Sequence, residues 1–192
     1  MAGEIRITKK FIAFFFAGIV LAVFLGIVAG QVFNQWRMDR AQAKYLKENP
    51  PITLKEGDIV PNFSFVTLDG QEQKLYDKLQ YDKGIVLLMT TSCDFCAKEI
   101  EKWKEEKQDL PSGVQLLAIS PDSLNRLATY TQEKGIDFTM LCDKDGKFFE
   151  QHEVKSFPVL LLVDENKKVV KVFSGFDPKM EIKDYVKILA MK

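Results

Sequence analysis

Two cysteines separated by two residues carry the clearest chemistry in the sequence. Cys93 and Cys96 follow an apolar run of strand character and begin a segment with helical spacing of apolar residues. A thiol in the first turn of a helix lies near unpaired backbone N–H groups and the positive end of the helix dipole, and both stabilise a thiolate. We therefore interpret Cys93 as a nucleophile towards disulfides and Cys96 as the thiol that resolves the mixed disulfide. This chemistry needs no cofactor, and none is predicted.

Inert core thiols, or half of a zinc site, are the alternative interpretations of this pair. A structural zinc ion takes four ligands, and the only other cysteine and histidine in the chain are Cys142 and His152. We therefore predict no metal site. Cys142 is expected to be a buried thiol at a strand end, with a resolving role left open, and His152 to lie at a helix end.

The elements around the cysteines alternate between strand and helix patterns. Asp69-Gly70 between two short extended runs is typical of a hairpin. Strands are predicted at 63–68, 71–75, 85–91, 114–120, 138–141, 159–163 and 169–173, and helices at 93–108, 123–134, 147–152 and 180–191. This order predicts an α/β fold in which helices cover both faces of a mixed sheet.

The N-terminal segment predicts a membrane anchor. Phe11 to Gly30 is an uncharged run of twenty residues, and a helix of that length spans roughly 30 Å, the hydrocarbon thickness of a bilayer. The basic residues Arg6, Lys9 and Lys10 precede it, so the positive-inside rule predicts a cytoplasmic N-terminus and an extracytoplasmic remainder. Cleavage as a signal peptide after the small residues 28–30 is the alternative.

The chain therefore divides into four parts, and its charge argues against one class of partner. The predicted parts are residues 1–10 (cytoplasmic), 11–30 (transmembrane anchor), 31–56 (stalk) and 57–192 (catalytic domain). Pro50 and Pro51 should end any helix that continues into the stalk. Its 27 basic and 27 acidic residues balance, whereas nucleic-acid-binding proteins usually have a basic excess.

The sequence resembles the thioredoxin-fold thiol–disulfide oxidoreductases, and within them the membrane-anchored TlpA/ResA-like branch. The resemblance covers roughly residues 57–192 and the anchor. In addition to the Cys-x-x-Cys pair, four motifs support it: Pro61-Asn-Phe-Ser-Phe, Leu68-Asp-Gly, Cys142-Asp-Lys-Asp-Gly-Lys and Ser156-Phe157-Pro158-Val159. It implies a thioredoxin-like sheet with an N-terminal hairpin extension. It also implies extracytoplasmic reduction of client-protein disulfides, for example in cytochrome c maturation, with electrons from an upstream membrane thiol donor.

The resemblance also implies three further site residues. Pro158 corresponds to the cis-proline of the family, next to which the backbone of Phe157 would bind an extended client segment; a trans proline at the start of an edge strand is the alternative. Glu99 matches the active-site glutamate of the reducing relatives, which would exchange protons with the thiols. Because other glutamates follow on the same helix, a solvated surface residue is the alternative.

Departures from the family pattern bear on the direction of electron flow. Ser92 stands where the family usually has tryptophan, and Asp94-Phe95 replaces a proline-containing pair. A carboxylate beside the nucleophile disfavours its thiolate, which makes the reduced form less favoured. The pair is therefore expected to act as a reductant.

Two other functions fit parts of the same sequence. Thr90 precedes Cys93 by three residues, as in peroxiredoxins, but Val86 replaces the proline of that motif and Pro158 lies where those enzymes place an arginine. Thiol peroxidase is therefore one alternative. A Sco-like copper chaperone is another, although those proteins use a longer cysteine spacing and His152 does not lie in their usual motif.

Overall fold

A computed structural model describes residues 9–79 and 83–191, which form two units. The boundary between the units lies at Pro50 and Pro51. The basic residue Arg6 and the rest of segment 1–8, on which part of the orientation argument depends, lie outside the described residues. The N-terminal unit is a helix, and the second unit is the packed domain that carries the cysteines.

The described residues of the N-terminal unit form helix α1 (Lys9–Glu48), which joins the predicted anchor and most of the stalk. It ends just before Pro50, as the sequence predicts. Its stretch Gly18–Ala41 has a mean hydropathy of 1.7, and none of this stretch is buried. By length and composition, that stretch could cross a membrane.

In the described residues of the second unit, a seven-stranded mixed sheet packs with five α-helices and one 3-10 helix (Lys107–Asp109). The strands are β1 (Ser64–Thr67), β2 (Glu72–Lys74), β3 (Lys83–Leu88), β4 (Val114–Ser120), β5 (Thr139–Cys142), β6 (Val159–Val163) and β7 (Val169–Ser174). The helices are α2 (Leu75–Lys78), α3 (Asp94–Glu106), α4 (Leu124–Lys134), α5 (Lys147–Gln151) and α6 (Ile182–Ala190). The strand order is β2-β1-β5-β4-β3-β6-β7. Strands β3, β4 and β5 are parallel, whereas β6 runs antiparallel to β3.

Each face of the sheet has its own hydrophobic core because successive strand residues point to opposite sides. Ile85 and Leu87 of β3 pack with α3, α4 and α6, whereas Val86 and Leu88 pack with α2, α5 and the segment that leads into the domain. Within that segment Ile52 and Leu54 are buried. The packed unit therefore starts at Pro51, six residues before the boundary expected from the sequence.

The strand register brings the functional segments to one edge of the sheet. Leu88, the last residue of β3, is paired with Ile119 near the end of β4 and with Val159 at the start of β6. The loop after β3 leads to Cys93, and the loop before β6 contains Pro158. Both loops therefore leave the sheet at the same edge.

Candidate active site

Cys93 stands at the N-cap of α3, where its sulfur meets the helix backbone. Its Sγ accepts the N–H of Cys96 at 3.1 Å, and its own N–H donates to the carbonyl of Thr90 at 3.2 Å. The side chain is partly exposed. A sulfur that accepts a backbone N–H at a helix start is stabilised as a thiolate once the pair is reduced.

Cys96 is the buried partner in this pair. It is bonded to Cys93 as a disulfide, with the two Cα atoms 5.2 Å apart, and it is 0% exposed. It packs in the same core as Ile100 and Trp103 of α3. Only the Cys93 sulfur is therefore within reach of another protein.

The Phe157–Pro158 peptide bond is cis, as the family resemblance implies. Pro158 is buried, and its carbonyl accepts the N–H of Gly175 at 2.9 Å. Within the described part of the chain, neither the N–H nor the C=O of Phe157 has a hydrogen-bond partner. Both backbone groups are therefore free to pair with an extended segment of another polypeptide.

Glu99 is a buried carboxyl, not a solvated one. It is 2% exposed, whereas Glu101 and Glu105 of the same helix are exposed. Burial raises its pKa, although nearby Lys102 and the donor Trp103 act in the opposite direction. Its Oε1 accepts the indole N–H of Trp103 at 2.8 Å and the hydroxyl of Tyr185 at 3.5 Å. The carboxyl is thus fixed between α3 and α6.

Residues 57–172 match the family model described as the AhpC/TSA family. The chain belongs to this family. It is 26% identical to the thiol-disulfide oxidoreductase ResA of Bacillus subtilis over 140 residues, which cover 71% of this chain and 77% of that protein. It is also 31% identical to the peroxiredoxin Bcp of Escherichia coli over 139 residues, which cover 64% of this chain and 87% of that protein.

A solved structure supports the same assignment. The crystal structure of a thiol:disulfide interchange protein, DsbE, from Chlorobium tepidum superposes with a TM-score of 0.59 at 25% identity, covering 71% of this chain and 97% of the other. The thioredoxin-like fold expected from the sequence is therefore confirmed. Like the ResA and DsbE proteins, this protein is a thiol–disulfide oxidoreductase.

The other two candidate residues, Cys142 and His152, are both buried, and Cys142 packs in the same core as Cys96. Cys142 is a buried free thiol at the end of β5, as expected; burial raises its pKa, and its S–H donates to the carbonyl of Asp122 at 3.1 Å. His152 packs against Phe63 and Phe148 in the core on the opposite face from Cys96. A copper-ligand set of the pair and His152 is not assembled, and residues 9–79 and 83–191 contain no group of three or more candidate metal ligands.

One residue near the pair was not among the candidates from the sequence. The carboxylate of Asp122, in the loop after β4, accepts the N–H of Thr91 at 2.6 Å and the hydroxyl of Ser120 at 3.0 Å. Thr91 lies only two residues before Cys93. A polar residue just beyond a parallel strand, at the edge that carries the active site, is the signal that could have identified it.

Proposed function

We propose that this protein is a membrane-anchored reductase of disulfides in extracytoplasmic client proteins. The observation that carries the proposal is the asymmetry of the pair, with Cys93 partly exposed at a helix start and Cys96 fully buried behind it. A dithiol reductase needs one sulfur that reaches the client and a second that only the first can meet. This geometry supports both roles.

The proposed reaction passes two electrons and two protons from the pair to the client. Cys93 loses its proton, and the resulting thiolate attacks one client sulfur, while the other client sulfur leaves as a thiolate and takes up a proton. Cys96 then loses its proton and attacks the Cys93 sulfur, which releases the first client sulfur as a thiol. The oxidised pair, which is the form in the structure, must be reduced again by an upstream membrane thiol donor.

The loop at Pro158 is proposed to hold the client during this exchange. The free N–H and C=O of Phe157 can pair with an extended client backbone, as a neighbouring strand would. Such pairing involves main-chain groups of the client and not its side chains. It therefore suits an enzyme whose client proteins differ in sequence. Glu99 is proposed to exchange protons with the thiols, because burial raises its pKa towards the working range of a proton carrier.

The anchor and the relatives together support a location and a client class. An exposed apolar helix of membrane-spanning length supports insertion of α1 into the bilayer, with the domain on the extracytoplasmic side. Proteins secreted across the membrane acquire disulfides there, so the substrate is available. Apocytochromes awaiting haem are the client class we propose.

Thiol peroxidase is a second candidate, favoured by the 31% identity to a peroxiredoxin. In that reaction Cys93 would attack a peroxide, and Cys96 would condense with the resulting sulfenic acid to release water. Peroxidases of this type need a guanidinium at the thiolate. Arg126 is the sole arginine in 51–192; it lies 3.9 Å from the Asp122 carboxylate, and Pro158 occupies the position where the peroxiredoxin arginine is expected.

Trapping of clients tests the reductase proposal. With the full chain in detergent, Cys96→Ala should accumulate mixed disulfides with a disulfide-bonded client, whereas Cys93→Ala should accumulate none. Cys142→Ala is the matched control and should behave as wild type. The reduction potential should lie near that of thioredoxin, about −270 mV, and a value above about −150 mV would indicate an oxidase. Rapid hydrogen peroxide turnover that depends on Cys93 would favour the peroxidase instead.

A further inference from the structure

Asp122 joins the ends of three parallel strands, one of which leads into the redox pair. Its carboxylate accepts the N–H of Thr91 after β3 and the hydroxyl of Ser120 at the end of β4, at 2.6 and 3.0 Å. Its carbonyl accepts the thiol of Cys142 at the end of β5, at 3.1 Å. Three loops that leave the same edge of the sheet therefore meet at one residue.

The contact with Thr91 controls the turn that delivers Cys93. This turn is short: the N–H of Cys93 bonds back to the carbonyl of Thr90, and the Cys93 sulfur then receives the N–H of Cys96. A hydrogen bond from a backbone N–H to an ionised carboxylate is stronger than one to a neutral acceptor. Without the bond from the Thr91 N–H to Asp122, the turn would hold the Cys93 sulfur less firmly against the N–H of Cys96.

We propose that Asp122 is a positioning residue for the redox pair, and that its bond to the Thr91 N–H holds Cys93 in the place where α3 stabilises the thiolate. The role rests on the proposed dithiol function. Although burial acts the other way, the bonds from Thr91 and Ser120 lower the pKa of Asp122, so the carboxylate stays ionised.

The charged and titratable groups around this site come from three elements. Arg126 of α4 lies 3.9 Å from the carboxylate, Cys142 and Asp143 lie at the end of β5, and Asp94 opens α3. A nearby negative charge by itself would raise the pKa of the Cys93 thiol. Through this charge effect alone, removing Asp122 would lower the pKa of the Cys93 thiol. If Cys93 instead lost its position at the start of α3, the pKa of its thiol would rise. The direction of the change therefore separates the two roles.

The test measures the rate of iodoacetamide alkylation of Cys93 against pH, with the full chain in detergent and Cys96→Ala as background. Asp122→Ala should move the midpoint up by about one pH unit, which means about tenfold less thiolate at neutral pH. Asp122→Asn keeps an oxygen acceptor and should restore most of the rate. If Asp122→Ala does not fold, Asp122→Glu, which keeps the charge but displaces it, should give the same upward shift.

Asp164→Ala is the matched control because Asp164 also orders a turn. Its Oδ1 accepts the N–H groups of Asn166 and Lys168 at 2.9 and 2.8 Å, at the opposite edge of the sheet. This variant should lose stability but keep the wild-type pH profile. An unchanged or lowered midpoint in Asp122→Ala or, where that variant does not fold, in Asp122→Glu would overturn the proposal, as would an equal rise in Asp164→Ala. Wild-type protein that reduces no client would instead refute the proposed function, and the alkylation profile would still report on Asp122.

Discussion

Among the individual residues, Glu99 makes the sharpest prediction about the chemistry. Its buried carboxyl has a raised pKa, so the charged form is the costly one at neutral pH. Glu99→Gln keeps an oxygen that can accept from Trp103 and removes the proton exchange. We expect disulfide exchange to slow by about tenfold and to lose part of its pH dependence.

The stability of Glu99→Gln separates a chemical role from a structural one. A raised carboxyl pKa contributes stability below the unfolded value and loses it as pH rises through the folded value. The neutral amide should therefore be at least as stable as wild type at pH 7–8 in urea unfolding. Glu101→Gln, an exposed neighbour on the same helix, is the control and should exchange at the wild-type rate. Equal slowing in both variants would show that Glu99 has no special part in the exchange.

His152 predicts how stability depends on pH. The ring is buried, its Nε2 has no hydrogen-bond partner in the described part of the chain, and burial lowers its pKa from 6.5. The folded state therefore binds fewer protons than the unfolded state, and stability falls as pH drops below about 6.5. The slope can reach about 1.4 kcal/mol per pH unit.

A variant that cannot titrate isolates this effect. His152 is the only histidine in the chain, and the raised pKa of Glu99 changes stability with the opposite sign. As the pH is lowered from 7 to 5, the unfolding free energy of wild type should therefore fall relative to that of His152→Phe. A difference that stays constant over this range would mean that His152 takes up its proton equally readily in the folded and unfolded states.

The sequence predicts the cysteine pair but not the Asp122–Thr91 contact next to it. Spacing and local context are enough for Cys93 and Cys96, because a helix start lies within a few residues of both. The sequence does not predict whether Glu99 is buried. Helical spacing indicates the face of α3 on which Glu99 lies, but not that α6 covers this face. The Asp122–Thr91 contact spans 31 residues and exists because β3 and β4 are neighbours in the sheet. No local pattern encodes that register.

At the scale of elements, local signals gave most of the boundaries and few of the pairings. Strand Val159–Val163 coincides with its apolar run, and Gly135 ends α4 in the left-handed conformation expected of a C-terminal glycine. Ser123 occupies the N-cap of α4, but its side chain forms no capping bond. The N-terminal hairpin, expected as an extension, pairs through β1 with β5. This antiparallel contact joins distant segments, which periodicity cannot reveal.

Helix α1 makes a prediction about topology. With the N-terminus cytoplasmic, a membrane-impermeant maleimide should label reduced Cys93 in cells whose cytoplasmic membrane is intact. Ala2→Cys in a Cys93→Ala background is the matched control and should be labelled only after lysis. Labelling of Cys93 that requires lysis would reverse the orientation. Recovery of the protein in the soluble fraction would instead indicate cleavage of the apolar segment.

At the scale of the whole molecule, the sheet separates the core that contains the redox site from the core that contains His152. One face of the sheet carries Cys96, Glu99 and the helices that hold them, whereas the other packs the segment that leads in from α1 around His152 and the phenylalanines. The pH-dependent loss of stability from His152 should therefore leave the exchange chemistry largely unaffected while the protein stays folded.

The burial of Cys96 has a kinetic consequence for the complete cycle. Because Cys93 alone is accessible, the thiol that regenerates the enzyme must attack the same sulfur that the client meets. Donor and client then cannot be bound together, and the cycle must follow a ping-pong scheme. Double-reciprocal plots of rate against client concentration, taken at several donor concentrations, should be parallel. An excess of either the donor or the client should inhibit the reaction of the enzyme with the other. Intersecting lines would require a ternary complex, which a single accessible sulfur does not allow.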